Sequence, residues 1–79
     1  MAHYHFTYYK NGEIVNSYDS ENFDTFNHAY DVADFAMRFF TRSEKSGEAE
    51  IVRTENRLTA SYISKWNGAK IAYCFDIFG

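Results

Sequence analysis

The chain has 79 residues, a mass of 9.3 kDa and a formal net charge of −3, a length that suits one domain or part of an oligomer. Hydrophobic residues make up 46% of it, which excludes an intrinsically disordered protein. Eleven acidic residues outnumber eight basic ones, so the composition does not favour a general phosphate-binding surface. Since no apolar stretch approaches the ~20 residues that span a bilayer and the first residues lack a signal-peptide pattern, we expect a cytoplasmic protein without membrane contact.

Aromatic residues are unusually frequent: one Trp, seven Tyr and eight Phe make up 20% of the chain. A domain this small buries only ~60% of its unfolded surface, and each large ring that is buried removes ~150–250 Å² from water. The rings therefore compensate for the small size of the core. Cys74 is the only cysteine, which excludes an intramolecular disulfide and a cysteine-based zinc site.

The first predicted element is a β-hairpin around Asn11-Gly12. Asn-Gly between β-favouring residues is typical of a two-residue type I′ turn, because both central residues of that turn need a positive φ. This turn predicts strands over residues 3–9 and 13–18. Its register pairs Lys10 with Glu13, Tyr9 with Ile14, Tyr8 with Val15 and His5 with Tyr18, and puts Tyr4, Phe6, Tyr8 and Val15 on one face and His5, Thr7, Tyr9, Ile14 and Tyr18 on the other.

An amphipathic helix follows the hairpin. Either Asp24 or Thr25 supplies its N-cap, and residues 43–47 end it. Phe35 and Phe39 make the apolar side of this helix wider than one packed face requires. Either deep burial of the helix or a second protomer that covers it would explain this width. The stripe itself follows the i, i+3, i+4, i+7 spacing and consists of Phe26, Ala29, Tyr30, Ala33, Met37 and Phe40.

Three strands complete the prediction, which is a single α+β domain over residues 1–79. Residues 50–54 form the first of these strands and place Ile51 beside Ala60. A second turn, at Asn67-Gly68, joins the last two strands. The expected order is ββαβββ, with the helix packed on one face of an antiparallel sheet. The second turn pairs Trp66 with Ala69, Lys65 with Lys70 and Leu58 with Ile77, so that Leu58, Ala60, Tyr62, Trp66, Ile71, Tyr73, Phe75 and Ile77 share an apolar face.

Negative charge is concentrated in residues 11–37, which contain six acids and no Lys or Arg. Three interpretations stay open: a solvated surface that also favours the helix N-terminus, a patch complementary to a basic protein, and a divalent-cation site. In the second interpretation the acids imitate a row of phosphates in a nucleic-acid channel. The six acids are Glu13, Asp19, Glu21, Asp24, Asp31 and Asp34.

Aromatic residues beyond the needs of a small core adjoin this acidic segment. Tyr is enriched at interface hot spots, so we interpret the combination as a surface that binds a protein partner with a basic surface. A homodimer is a further interpretation. The predicted partner-binding residues are Asp19, Glu21, Asp24, Asp31, Asp34, Tyr9, Tyr18, Phe35 and Phe39.

No motif indicates catalysis, and we expect neither an enzyme nor a cofactor. Cys74 has no basic partner in the sequence that would activate it as a nucleophile. His3 and His5 share one strand face and could hold a metal with His28, but such pairs are usually ordinary polar residues, and no metal is predicted.

Binding of single-stranded nucleic acid is an alternative function, because rings on a sheet can stack on bases. Basic residues should lie between such rings, and the overall acidity of the chain argues against direct nucleic-acid binding. The rings considered are Tyr4, Phe6, Tyr8, Tyr62 and Tyr73, with Arg53, Arg57, Lys65 and Lys70 as the nearby bases.

Three short segments define the layout: Lys-Asn-Gly-Glu at residues 10–13, Tyr-Asp-Val-Ala-Asp-Phe at 30–35 and Trp-Asn-Gly-Ala at 66–69, in a chain without proline. With one helix and an acidic stretch, this layout resembles the small phage-encoded anti-defence proteins, among them anti-CRISPR proteins. The resemblance implies a viral, non-enzymatic inhibitor in the host cytoplasm that binds a nuclease or surveillance complex and blocks nucleic-acid access. It transfers no catalytic residue.

Overall fold

A computed structural model describes residues 1–44 and 49–79 and shows an antiparallel sheet of five strands with a helix on one face. The predicted α+β class and the order ββαβββ are confirmed. The strand order in the sheet is β2-β1-β5-β4-β3, so the first and last strands of the chain pair in its centre. The elements are β1 His3–Lys10, β2 Glu13–Asp19, α1 Phe26–Glu44, β3 Glu50–Arg53, β4 Arg57–Ile63 and β5 Lys70–Phe78.

The hydrophobic core lies between α1 and the three inner strands. The helix packs on β4, β5 and β1, while β2 and β3 form the two edges of the sheet. Phe75, Met37 and Leu58 are the largest fully buried side chains. The predicted alternation along β4 and β5 is confirmed, since the residues that face α1 are buried and those on the reverse, uncovered face are exposed or half-buried.

The first hairpin has the predicted turn but only the first part of the predicted register. Asn11 and Gly12 both have a positive φ, of 53° and 83°. Lys10 and Tyr9 pair with Glu13 and Ile14 as expected, and a β-bulge then shifts the register by one residue. The predicted pairs Tyr8–Val15 and His5–Tyr18 are therefore wrong: Tyr8 lies opposite Asn16, His5 opposite Asp19, and Tyr18 opposite Phe6 on the covered face.

The second hairpin closes with a longer loop than the two-residue turn predicted at Asn67-Gly68. The N–H of Ser64 donates to the carbonyl of Ala69 at 2.8 Å, and the N–H of Gly68, whose φ is 72°, donates to Ser64 at 2.9 Å. The strands are consequently offset by two residues from the predicted register. An offset of two preserves the faces, because side chains alternate with a period of two. Leu58 thus lies opposite Phe75 instead of Ile77, and Lys70 opposite Ile63 instead of Lys65.

Trp66 is the one residue of the predicted apolar face that the longer loop removes from the core. It lies within the loop and is 77% exposed, so its placement in the core is wrong.

Helix α1 begins where its capping residue predicts. The N–H of His28 donates to Thr25 Oγ1 at 3.0 Å, which identifies Thr25 as the N-cap. The helix ends at Glu44, and the rest of the predicted terminating segment, residues 45–47, lies outside the described residues. Strand β3 pairs Ile51 with Ala60 as predicted.

Candidate functional site

The predicted partner-binding residues lie on several surfaces of the molecule. Tyr9 is on the uncovered face of the sheet, near the turn of the first hairpin. Tyr18 is on the covered face, at the edge strand β2. Phe35 and Phe39 lie one turn apart on α1 and are 64% and 54% exposed, so deep burial of these two rings is wrong. The apolar side of the helix is wider than the part that the sheet covers, and Phe35 and Phe39 lie outside the covered part.

Tyr18 and Phe39 belong to a line of rings that runs from the core to the surface between α1 and β2. Ring centroids are separated by 5.0 Å for Tyr18 and Phe6, 5.8 Å for Phe6 and Phe40, and 6.2 Å for Phe40 and Phe39. Phe6 is buried, whereas Tyr18 is 42% exposed. Because α1 packs on β1 and not on β2, the outer rings of this line are uncovered. We call Phe6, Tyr18, Phe39 and Phe40 the aromatic groove.

Acidic residues lie around the start of the helix, at the segment that joins β2 to α1. A two-way backbone pairing of Ala2 with Phe23 fixes the segment between β2 and α1 against the core. Glu21 and Asp24 of this segment are exposed and line, with His28 and others, a shallow cavity of 430 Å³.

The negative charge of Glu21 acts on the phenol of Tyr4. The pKa of Tyr4 is raised, mainly by burial and further by Tyr18 and Glu21, because a second negative charge nearby would be repelled. This side of the molecule therefore favours a cation.

The acids differ in whether they have partners. Asp34 pairs with Arg38 at 3.2 Å, an i, i+4 contact along the helix, and also with Arg53 at 3.0 Å. Among the residues that the structure describes, Glu21, Asp24 and Asp31 form no ion pair. With Glu13, which is exposed on β2 and likewise unpaired within the described residues, they carry the charge that the acidic segment offers to a partner.

Asp19 is engaged in a polar network on the uncovered face. Its Oδ1 lies 2.9 Å from His5 Nδ1, and His5 Nε2 lies 2.8 Å from Ser17 Oγ. A Ser–His–Asp order can activate a hydroxyl, yet the carboxylate of such a site is buried, and here it is about two-thirds exposed. The network ties the edge strand β2 to β1.

The histidines do not converge. His3 and His5 share a face, as predicted, and both approach Asp19, at 4.0 Å and 2.9 Å. His28 lies elsewhere, with its ring 5.1 Å from that of Phe23. Within residues 1–44 and 49–79, no group of His, Cys, Asp and Glu side chains is arranged to hold a metal ion.

Comparisons of the chain with protein-family models, curated proteins and solved structures found no match. In the part of the chain that the structure describes, no helix has the length and apolarity needed to cross a membrane.

Proposed function

We propose that this chain is a non-enzymatic protein–protein interaction module that binds its partner at the aromatic groove. The observation that carries the proposal is the line of ring contacts from buried Phe6 to exposed Tyr18 and Phe39. Rings that are anchored in a core and open on one side lose little side-chain freedom on binding, which is favourable for an interface.

The partner is a protein with a basic surface. Glu21 and Asp24 flank the start of α1 and Asp31 lies on its exposed side, all without an ion-pair partner among the described residues. Lys or Arg side chains of the partner would pair with these carboxylates and accelerate association, while an apolar side chain occupies the groove. Under the resemblance to anti-defence proteins, the partner is a nucleic-acid-binding host complex, and the carboxylates take the place of phosphates.

The experiment begins with affinity capture from a candidate host, identification of the captured protein by mass spectrometry and calorimetric titration of the purified pair. We expect Tyr18→Ala combined with Phe39→Ala to weaken binding at least ~10-fold, since truncated hot-spot rings each cost ~1–2 kcal/mol or more. Glu21→Lys combined with Asp24→Lys should weaken binding most at low salt, where charge interactions are least screened.

Matched control variants are available on the edge strand and turn at the other side of the sheet. Ile51→Ala with Val52→Ala removes exposed apolar side chains from β3, and Glu55→Lys reverses an exposed charge, away from the groove. These controls should bind as the wild type does. Undiminished binding by a folded Tyr18/Phe39 double variant would contradict the proposal.

A further inference from the structure

The two hairpin loops meet at one end of the sheet. The N–H of Asn11 donates to the carbonyl of Lys70 at 2.8 Å, and the N–H of Lys70 donates to Asn11 Oδ1 at 2.9 Å. Lys10 immediately precedes the first turn, and Lys65 lies in the second loop. These contacts bring together Tyr9 and Lys70, which share the uncovered face, whereas Lys10, opposite Ile71, lies on the covered face. We call Tyr9, Lys65, Trp66 and Lys70 the hairpin end.

Trp66 is the most exposed aromatic ring of the described chain. It is 77% exposed, and the ammonium of Lys65 lies 5.2 Å from its ring centroid. Such a contact is worth only ~0.5–1 kcal/mol at an exposed site, too little to offset the exposure of a large apolar ring. The arrangement places a cation and a stacking surface side by side.

A concavity on the uncovered sheet face lies at the same end of the sheet, since Ile63 and Lys70, which flank the loop that carries Trp66, both line it. Tyr9, Ala72, Ser61 and Glu50 form one row across four strands, and the small side chains of Ala72 and Ser61 make its floor. Tyr9, Lys70 and Glu50 are among the residues around a volume of 480 Å³. The concavity therefore offers an aromatic wall, a cation and a hydrogen-bond acceptor.

Charge is distributed unevenly between the two ends of the sheet. Within the described residues, Lys65 and Lys70 form no ion pair, while Glu50 lines the same concavity as Lys70. The unpaired Glu21 and Asp24 belong to the opposite end, beside the start of β1. The net charge of −3 for the whole chain therefore does not describe the hairpin end.

We propose that the hairpin end binds single-stranded nucleic acid. Phosphates pair with the lysines, one base stacks on Trp66, and a neighbouring base enters the concavity beside Tyr9, where Glu50 accepts a hydrogen bond from an exocyclic amino group. A duplex hides the faces of its bases, so the rings select an unpaired strand. The rings that the sequence had indicated for this role are unsuitable, because Tyr4, Phe6, Tyr62 and Tyr73 are buried beneath α1 and Tyr8 is half-buried. This site is separate from the aromatic groove, and neither proposal depends on the other.

Trp66 is the only tryptophan, so its fluorescence reports directly on stacking at this site. The probe is a labelled single-stranded DNA of mixed sequence and ~10 nucleotides, within the usual site size. We expect saturable quenching of Trp66 at low salt and a parallel rise in anisotropy of the label. With Lys65 and Lys70 engaged, the slope of log affinity against log salt should be about −1.4, from roughly −0.7 per neutralised phosphate.

Variants separate the contribution of the Trp66 ring from that of the lysine charges. Trp66→Ala should weaken anisotropy-detected binding by about 5- to 150-fold, the equivalent of ~1–3 kcal/mol per stacked base. Lys65→Ala with Lys70→Ala should flatten the salt slope by about 1.4. Phe35→Ala, which removes a comparably exposed ring from α1, and the Tyr18/Phe39 double variant should bind the oligonucleotide as the wild type does.

Three results would overturn the proposal: no quenching at low salt, a duplex of the same sequence that binds the wild type as tightly as the single strand does, or polyglutamate that quenches Trp66 as strongly as the oligonucleotide. The last result would assign the site to an acidic protein segment. Circular dichroism of each variant shows whether it is folded.

Discussion

At the residue scale, the sheet surface around Cys74 sets the pKa of its thiol. The Cys74 thiol lies on the uncovered face of β5 and approaches Asp76 Oδ2 at 3.8 Å. Burial is the main reason that the pKa of Cys74 is raised, and the charge of Asp76 together with its acceptance of the thiol hydrogen bond raises the pKa further. Arg57, which is paired with Asp76, partly opposes this effect. The thiol is therefore protonated at neutral pH, the unreactive form of cysteine.

This environment predicts slow alkylation of Cys74. The rate of reaction with iodoacetamide should reach half of its maximum above pH 9.0, the ordinary pKa of the group. Asp76→Asn should move that midpoint downward, because it removes the negative charge and leaves Arg57. Asp31→Asn, on the exposed side of α1, serves as the control and should not move it.

The same shift links Cys74 to stability. Because the native pKa lies above the unfolded value, the contribution of the protonated thiol is present below pH 9.0 and is lost as the pH rises through the native pKa. Denaturant unfolding at a series of alkaline pH values measures this loss. A midpoint of alkylation below pH 9.0 in the folded protein would contradict the assignment.

At the scale of elements, one side chain caps the start of α1, and ion pairs hold its middle. Thr25 satisfies the N–H of His28, one of the unpaired donors of the first turn. Asp34 connects α1 through Arg53 to β3, the edge strand on which the helix does not pack. The Tyr30 hydroxyl also donates, at 3.0 Å, to the carbonyl of Thr54 just beyond β3. Polar contacts thus connect the helix to β3 and the residue after it, where the helix makes no packing contact with the sheet.

Thr25→Ala tests the cap directly. We expect it to lower the free energy of unfolding by ~1 kcal/mol, because the N–H of His28 loses its acceptor. Asp24→Ala is the matched control at the neighbouring position that the sequence left as an equal candidate. It should change the free energy of unfolding by less than ~0.5 kcal/mol. Urea denaturation measures both values, and a larger loss for Asp24→Ala would show that the cap is misassigned.

At the scale of the whole molecule, β5 is the structural centre. It pairs with β1 on one side and β4 on the other, and its inward side chains lie beneath α1. Strands β2 and β3 each have one pairing partner, and their residues are exposed. The sheet is therefore most stable along its middle and least stable at its edges, where the aromatic groove lies. A bulge in β2 also disfavours pairing of this edge with another chain.

Native-state hydrogen exchange should follow this order. Amides of β5 that donate within the sheet should exchange slowest, since their opening requires global unfolding, and paired amides of β2 and β3 should exchange faster through local opening. Measurement by NMR gives each strand separately. Equal protection of β2 and β5 would mean that β2 is covered, for example by a second copy of the chain.

The sequence by itself determined the elements, the capping region and the buried faces of β4 and β5. Asn11-Gly12 specified its turn because a positive φ at two successive residues is a local requirement, and the period-two alternation of β4 and β5 indicated the core side regardless of register. Phe75, Leu58 and Ile71 were assigned to the core on this basis, and all are buried.

Only the tertiary structure decided the register, the strand order and the surfaces available for binding. An offset of two residues leaves every side chain on the same face, so the alternation along β4 and β5 fits both the predicted and the observed register. In the observed register Trp66 lies in the loop and is exposed. The bulge in β2 likewise brought Tyr18 beside Phe6 and away from His5. Such choices depend on contacts between residues far apart in the chain, which local signals do not encode. For this reason the rings were predictable as a group, while their division between core, groove and hairpin end was not.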